Sequence, residues 1–297
     1  MFQFFANMFG YLLYVMYNLV NNYGLAIILF TLTIKILLIP LSIKQQKTMK
    51  KSSELQEKMK VIQFKYKNDQ EKMNQEVMNL YKTEKMSPFS GCITALVQML
   101  LLLSIFYLVR SPITFMEKLP QENINTYIQQ LKDGEKTVSN VYPEIDLIRE
   151  YNYLKEKNPE DENVDKINLQ MNFLGLDLSK IPQQNMGDYT VYIIPVLYII
   201  SSFISIRLTT SMQQKNKNKK SEDVEIDGTT GKELKPVEDE KNEMDNVMQT
   251  SKVMSWMMPI MSISIAFVAP LGLALYWLVN NILMIVERLV LDKVLKA

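Results

Sequence analysis

One charge sits where charges are costly. Residues 24–43, GLAIILFTLTIKILLIPLSI, are apolar apart from small hydroxyls and a single lysine, Lys35. At about 1.5 Å of rise per residue the run is long enough to cross a bilayer's hydrocarbon as a helix. Lys35 lies nine positions before Lys44, the first charge beyond the run, so the two are roughly 13 Å apart along a helix. A lysine stem snorkels part of that distance, not all of it. A charge at mid-helix costs about 3 kcal/mol on insertion scales, so such a residue faces protein or water rather than lipid. One reading is a snorkelling or salt-bridged lysine. The other is a polar cavity in which the ammonium attracts anionic groups. No acidic residue falls in the other apolar runs, 93–109, 189–208, 253–269 and 273–286, which favours the cavity.

Little else in the 297 residues offers chemistry. There is no histidine, which removes Ser-His-Asp catalysis, Cys-His catalysis and histidine metal ligation. The single cysteine, Cys92, makes neither an intrachain disulfide nor a thiolate cluster. No Gly-rich phosphate loop is present. Net charge is +1, so no bulk attraction to nucleic acid or anionic lipid follows. Neither an enzyme active site nor a cofactor or metal is expected, although counting alone leaves carboxylate chemistry open.

The elements that position Lys35 read as long helices separated by polar segments. Residues 1–22 carry no charged side chain and are rich in Phe, Tyr and Met. They lack the basic start and small-residue cleavage site of a secretory signal. Their aromatics and interspersed Gln3, Asn7, Gly10 and Asn18 predict a helix lying in the membrane interface; a full span is the alternative. Residues 23–43 form the first span, with Pro40 placed to kink it. Residues 44–92 then read as a basic amphipathic helical hairpin. Eleven lysines face six acids over residues 44–86, Leu55, Met59, Ile62 and Tyr66 recur at helical spacing, and Asp69 is placed to cap the second arm. A solvated pair packed on itself and a mobile surface touching lipid or polypeptide fit that pattern equally.

Residues 93–110 make the second span, and residues 111–188 a polar loop with eight basic and fourteen acidic residues. Within it, 123–131 and 144–157 are candidate helices of a small acidic cap. The third span is 189–208. Residues 209–252 form a flexible loop, polar and almost free of aromatics from 215 to 243. The fourth span, 253–269, opens with Met254, Trp256, Met257, Met258 and Met261. Pro270-Leu271-Gly272 reads as a tight turn into the fifth span, 270–288, and 289–297 is a tail. Lysine and arginine cluster after spans one and three, so those loops and the C-terminus lie in the cytoplasm, and the N-terminus and acidic loop outside. The fold class is an all-α polytopic membrane protein.

The order of features resembles the YidC/Oxa/Alb membrane protein insertases, specifically the five-span bacterial form. The resemblance rests on NYGLAIILFTLTIKILLIPL (22–41), LQEKMKVIQFKYKNDQEKMNQEVMNLYKTEKMSP (55–88), GC…LVQM (91–99) and PLGLALYWLVNNI (270–282). It covers nearly the whole chain apart from the acidic loop and residues 215–250. It implies five transmembrane helices around a hydrophilic groove open to the cytoplasm and the lipid but closed outside, with a positive residue in the first core span. Lys35 falls on that position. The family usually carries arginine there; lysine keeps the charge and loses the planar five-donor fork. Leu100 and Glu57 stand where proline is usual, and the acidic loop is longer than expected.

The implied function is insertion of nascent membrane proteins into the bacterial cytoplasmic membrane without nucleotide hydrolysis. Each unsatisfied polar group crossing a bilayer costs several kcal/mol, and a half-membrane aqueous groove lowers that cost. Candidate groove-lining groups beside Lys35 are Thr31, Thr33, Gln98, Ser201, Ser205 and Asn280, although intramembrane Ser, Thr and Asn more often join helices. Tyr276 and Trp277 resemble the family's aromatic contact for the client's span, with lipid-facing packing as the alternative. Partners implied are nascent clients and membrane lipids; the Sec translocon and the ribosome are admitted, and sequence-specific nucleic-acid binding is not. The tail has too few basic residues to argue ribosome docking. The rival is a small-anion transporter or channel binding its anion at Lys35, which an inverted repeat would favour; no such symmetry is visible. An assembly factor without translocation activity would make Lys35 dispensable.

Overall fold

A computed structural model describes residues 2–67, 69–84, 90–221 and 265–294. The chain divides into two compact units, Met1–Gln170 with Leu289–Ala297, and Met171–Arg288.

In the first unit, α1 (Phe2–Val20) turns at Asn21 into α2 (Tyr23–Lys65). The Asn22 side chain accepts from the Leu25 N–H at 3.1 Å, an N-cap that satisfies one orphan donor of the new helix. α2 then runs unbroken for 43 residues. The span and the first hairpin arm are therefore one helix; composition changes after Ile43 and the backbone does not. Residues 44–65 contain no glycine or proline and many strong helix formers, so nothing there ends it. At about 65 Å it is twice the thickness of the hydrocarbon, and its lysine-rich half reaches beyond the bilayer. Asp69 accepts from the Lys72 N–H at 3.0 Å and caps α3 (Gln70–Thr83). An exposed Lys58–Glu84 ion pair joins the two arms.

α1 packs against α2 and α4 (Ser90–Arg110). Ala6, Phe9, Leu13 and Tyr17 are its buried stripe, and the Phe9 and Phe30 rings meet edge to face with centroids 5.9 Å apart. Phe4, Met8, Tyr11, Val15 and Leu19 lie exposed, an apolar outer side that suits lipid. Gly10 is required where α1 crosses α5 (Pro112–Phe115): a Cβ there would lie 2.0 Å from the Phe115 carbonyl oxygen.

The acidic segment folds as a helical cap on this unit. α6 (Gln121–Asp133), α7 (Pro143–Arg149), α8 (Tyr151–Lys157) and α9 (Glu162–Asp165) close over Ile124, Leu131, Ile145, Leu147, Leu154 and Val164, all buried. The stretch expected as one helix over 144–157 is two, parted at Glu150. Glu144 and Asp146 are buried among these residues. Glu144 accepts from the Thr114 N–H and hydroxyl at 2.9 and 2.6 Å, and Asp146 from the Ser139 N–H at 2.6 Å and Arg149 at 2.5 Å. Gln170 ends the cap by donating its N–H to the Tyr17 hydroxyl at 2.9 Å and accepting the Tyr23 N–H at 3.0 Å, which seats it on the α1–α2 turn.

In the second unit a short hairpin, β1 (Asn172–Phe173) and β2 (Leu176–Asp177), precedes α10 (Ile193–Ser221), which begins after a 3₁₀ turn at Tyr189–Tyr192. α10 continues to Ser221, into the region expected to be loop; residues 222–252 of that loop lie outside the described residues. α11 (Leu271–Val294) begins at the expected Pro270-Leu271-Gly272 turn. The Leu273 N–H donates to the Pro270 carbonyl at 2.9 Å as the chain turns into the helix, and the first N–H groups of α11 donate from Leu271 to the Lys180 carbonyl and from Gly272 to the Leu178 carbonyl, both at 2.9 Å. Among the described residues three helices are long and apolar enough to span, Tyr23–Thr48, Tyr189–Ser211 and Leu271–Leu291, with Met99–Arg110 a shorter apolar helix. Most of the expected fourth span, 253–264, lies outside the described residues.

Two outcomes follow for the first unit. Gly10→Ala forces the α1–α5 crossing apart and lowers stability in micelles by about 1–3 kcal/mol, read as a lower denaturant midpoint. Burial pushes the Glu144 and Asp146 carboxyls up, against the lowering hydrogen bonds from Thr114 and Ser139. A carboxyl raised on folding binds its proton more tightly in the native state. Its contribution is therefore full below the unfolded value of about 4 and is lost as pH rises through the native one. The denaturant midpoint of the cap falls over that rise, and Glu144→Gln flattens the glutamate's share.

Candidate functional site

Lys35 occupies a specific face of α2. Thr31 lies one turn before it and Ile27 one turn before that, and both are buried. Leu25, Leu32, Ile36 and Ile39 form the exposed stripe of the same helix. Lys35 is half-buried and lies at the border of the two sides, with buried Thr31 one turn before it and exposed Ile39 one turn after. The Thr31 hydroxyl donates to the Ile27 carbonyl at 2.6 Å and that of Thr33 to the Leu29 carbonyl at 2.9 Å. Both therefore spend their donors inside the helix and keep acceptor capacity. Gln98 lies in α4, at a position whose side chain is outside the described residues.

The second unit carries a polar seam between α10 and α11. Ile193, Val196, Leu197, Ile200, Phe203 and Ile204 are the exposed side of α10, and Ser201, Ser202 and Ser205 are buried on the other. The Asn281 amide donates to the Ser201 and Ser202 hydroxyls at 3.0 and 3.1 Å, and Ser201 donates onward to the Tyr198 carbonyl at 2.8 Å. Above this clamp the Tyr198 and Trp277 rings lie 6.0 Å apart, and below it Arg288 donates to the Thr209 hydroxyl. The pairs advance together, 198 with 277, 201 and 202 with 281, and 209 with 288, so the two helices run parallel.

The sequence-derived site residues thus fall in two sets. Lys35, Thr31 and Thr33 share α2 in the first unit; Ser201 and Ser205 line the α10–α11 seam in the second. Asn280 is half-buried and Tyr276 buried, while Trp277 faces Tyr198. Asn281, which makes the clamp, was not among the expected residues. Its signal was its spacing: four residues after Trp277, it shares that residue's face of the helix, whereas Asn280 is turned by about 100°.

The family described as 60Kd inner membrane protein matches residues 15–297. Curated relatives named "Membrane protein insertase YidC" include those of Fusobacterium nucleatum subsp. nucleatum, 43% identical over 32% of this chain and 46% of the relative, and Caldanaerobacter subterraneus subsp. tengcongensis, 41% identical over 34% and 50%. That of Geotalea daltonii is 49% identical over 28% of this chain and 16% of the relative. The matched part spans half or less of the length of each.

For the seam, Asn281→Ala leaves α10 and α11 folded but weakens their pairing by about 1 kcal/mol, the scale of a hydrogen bond between helices in a membrane. Unfolding in mixed micelles measures it, with Asn280→Ala as the comparison expected to cost less.

Proposed function

The chain belongs to the 60Kd inner membrane protein family, and on that premise we propose that it is a membrane protein insertase of the bacterial cytoplasmic membrane. It passes short polar segments of nascent membrane proteins through a hydrated groove bearing Lys35 and releases their apolar spans into lipid, with no nucleotide hydrolysed. The observation that carries this reading is a half-buried lysine inside an apolar membrane-length helix, one turn from buried Thr31 and at the border of the helix's buried and exposed sides. An ammonium there, with water reaching it from the cytoplasm, attracts an acidic client tail and stabilises it part-way across. Thr31, Gln98, Ser201, Ser205 and Asn280 supply further polar groups along the path, and Tyr276 and Trp277 meet the client's span.

The parallel run of α10 and α11 supports the five-span topology. Two parallel membrane helices require the chain between them to cross back an odd number of times, and residues 253–269 are the segment apolar enough to do so. Five crossings put the N-terminus outside and the C-terminus, with the lysine-rich arms of α2 and α3, in the cytoplasm. The partners are nascent clients and lipids, with the Sec translocon and ribosome as candidates.

Liposomes holding the protein are expected to insert a single-span client with a short acidic N-terminal tail. Lys35→Arg retains insertion, because the charge is kept. Lys35→Ala lowers it roughly tenfold, the loss expected when an attraction of about 1.4 kcal/mol is removed. Equal insertion by all three proteins would strip Lys35 of its role. No insertion above empty liposomes, with selective anion flux instead, would replace the insertase by a transporter.

A further inference from the structure

The hairpin before α10 leaves large apolar side chains in the open. Leu174 is 86% exposed, Tyr189 85% and Met186 66%. Leu174 and Gly175 form the two-residue turn between β1 and β2, with φ of +50° and +80°. Type I′ hairpin turns need positive φ at both positions, and the first is ordinarily Asn, Asp or Gly. A leucine there is a poor choice for the turn and for water. The polar groups nearby are meanwhile engaged inside the segment. Asp177 accepts from the Ser179 N–H and hydroxyl at 3.0 and 2.6 Å. Asp188 accepts from Lys180 at 2.8 Å and from the Thr190 N–H and hydroxyl at 3.0 and 2.6 Å, which holds its carboxyl down at about 2.

The hairpin is fixed at the edge of the membrane by both spans of its unit. β2 packs against the 3₁₀ turn Tyr189–Tyr192 that opens the third span. Just beyond β2, the Leu178 and Lys180 carbonyls accept the first N–H groups of α11. Because α10 and α11 are parallel, both spans enter the bilayer at this end, and the exposed side of α10 continues the apolar surface downward from Tyr189 through Ile193, Val196 and Leu197.

From this continuity we infer that the Leu174–Gly175 turn, with Met186 and Tyr189, is a lipid-docking tip that inserts into the headgroup–acyl boundary of the leaflet where α10 and α11 begin. Its occupant is phospholipid. Tyr189 suits the interface, with a ring for the acyl boundary and a hydroxyl for water, and Leu174 supplies the apolar wedge. The tip fixes the height of the two spans against the bilayer surface. The inference rests on the membrane assignment and the α10–α11 geometry, and it stands or falls independently of insertion activity.

The test uses the full chain with Cys92→Ser and Leu174→Cys, labelled with an NBD fluorophore and reconstituted into phosphatidylcholine–phosphatidylglycerol vesicles. The free NBD–cysteine adduct in buffer is the aqueous reference. Tip insertion predicts emission blue-shifted from that reference, quenching by lipid carrying a doxyl group high on its acyl chain, and protection from aqueous iodide. Emission like the reference with full iodide quenching would overturn it. So would protection from iodide without quenching by doxyl lipid, since protein rather than lipid would then cover the tip. A second label at Met186→Cys, which leaves the turn unaltered, is expected to respond in the same way.

Discussion

Polar groups inside hydrocarbon have no water to bond, and that constraint shapes each helix of this chain that can cross a membrane. Hydroxyls meet it locally. Those of Thr31, Thr33, Ser104 and Thr209 donate to the carbonyl four residues back, and that of Ser201 to the carbonyl three residues back. The longer polar side chains of α11 cannot all do so, and they reach to α10 instead. The Asn281 amide donates to Ser201 and Ser202 and the Arg288 guanidinium to Thr209, and these bonds set which helices pair, on which faces and in which direction. A parallel pair in turn dictates how the intervening chain must thread. Few interactions in the chain determine so much of its topology.

The same constraint gives Lys35 its meaning. The exposed residues around it on α2, Leu32, Ile36 and Ile39, are apolar, and the half-buried lysine lies between them and buried Thr31. An ammonium held there is stable only beside polar protein groups or water, which are also what a polar client segment needs. On the proposed insertase reading, half-membrane hydration would shorten the dehydrated part of a client's path, and the client's own apolar span would provide the free energy on reaching lipid.

How much of this was legible in the sequence depended on whether composition or geometry carries the signal. The apolar runs at 23–43, 189–208 and 270–288 announced themselves, because twenty apolar residues with few charges have little other use. The family resemblance was legible in the spaced motifs and agrees with the match over residues 15–297. Asp69 was readable as a cap because its chemistry is local. The unbroken α2 was not, since a change from apolar to basic looks like a boundary while helix propensity continues through it. Pro270 and Gly272 mark the start of α11 because they are turn residues, whereas the carbonyls of Leu178 and Lys180 that accept its first N–H groups lie too far away in the chain to be read from it. Asn281 was passed over for its neighbour Asn280, a matter of one helical step. The β1–β2 hairpin went unseen, with leucine where the turn rules ask for asparagine.

The central claim, that Lys35 faces water inside the membrane, is tested most directly by thiol access at its own position. In a Cys92→Ser background, Lys35→Cys and a control at Leu37→Cys, an apolar position of α2 that is 67% exposed, are each treated in sealed vesicles with a charged, membrane-impermeant thiol reagent. A hydrated groove gives rapid modification at position 35 from the cytoplasmic side alone and none at position 37. Equal protection of both positions would place Lys35 in a dry environment and contradict the hydrated groove.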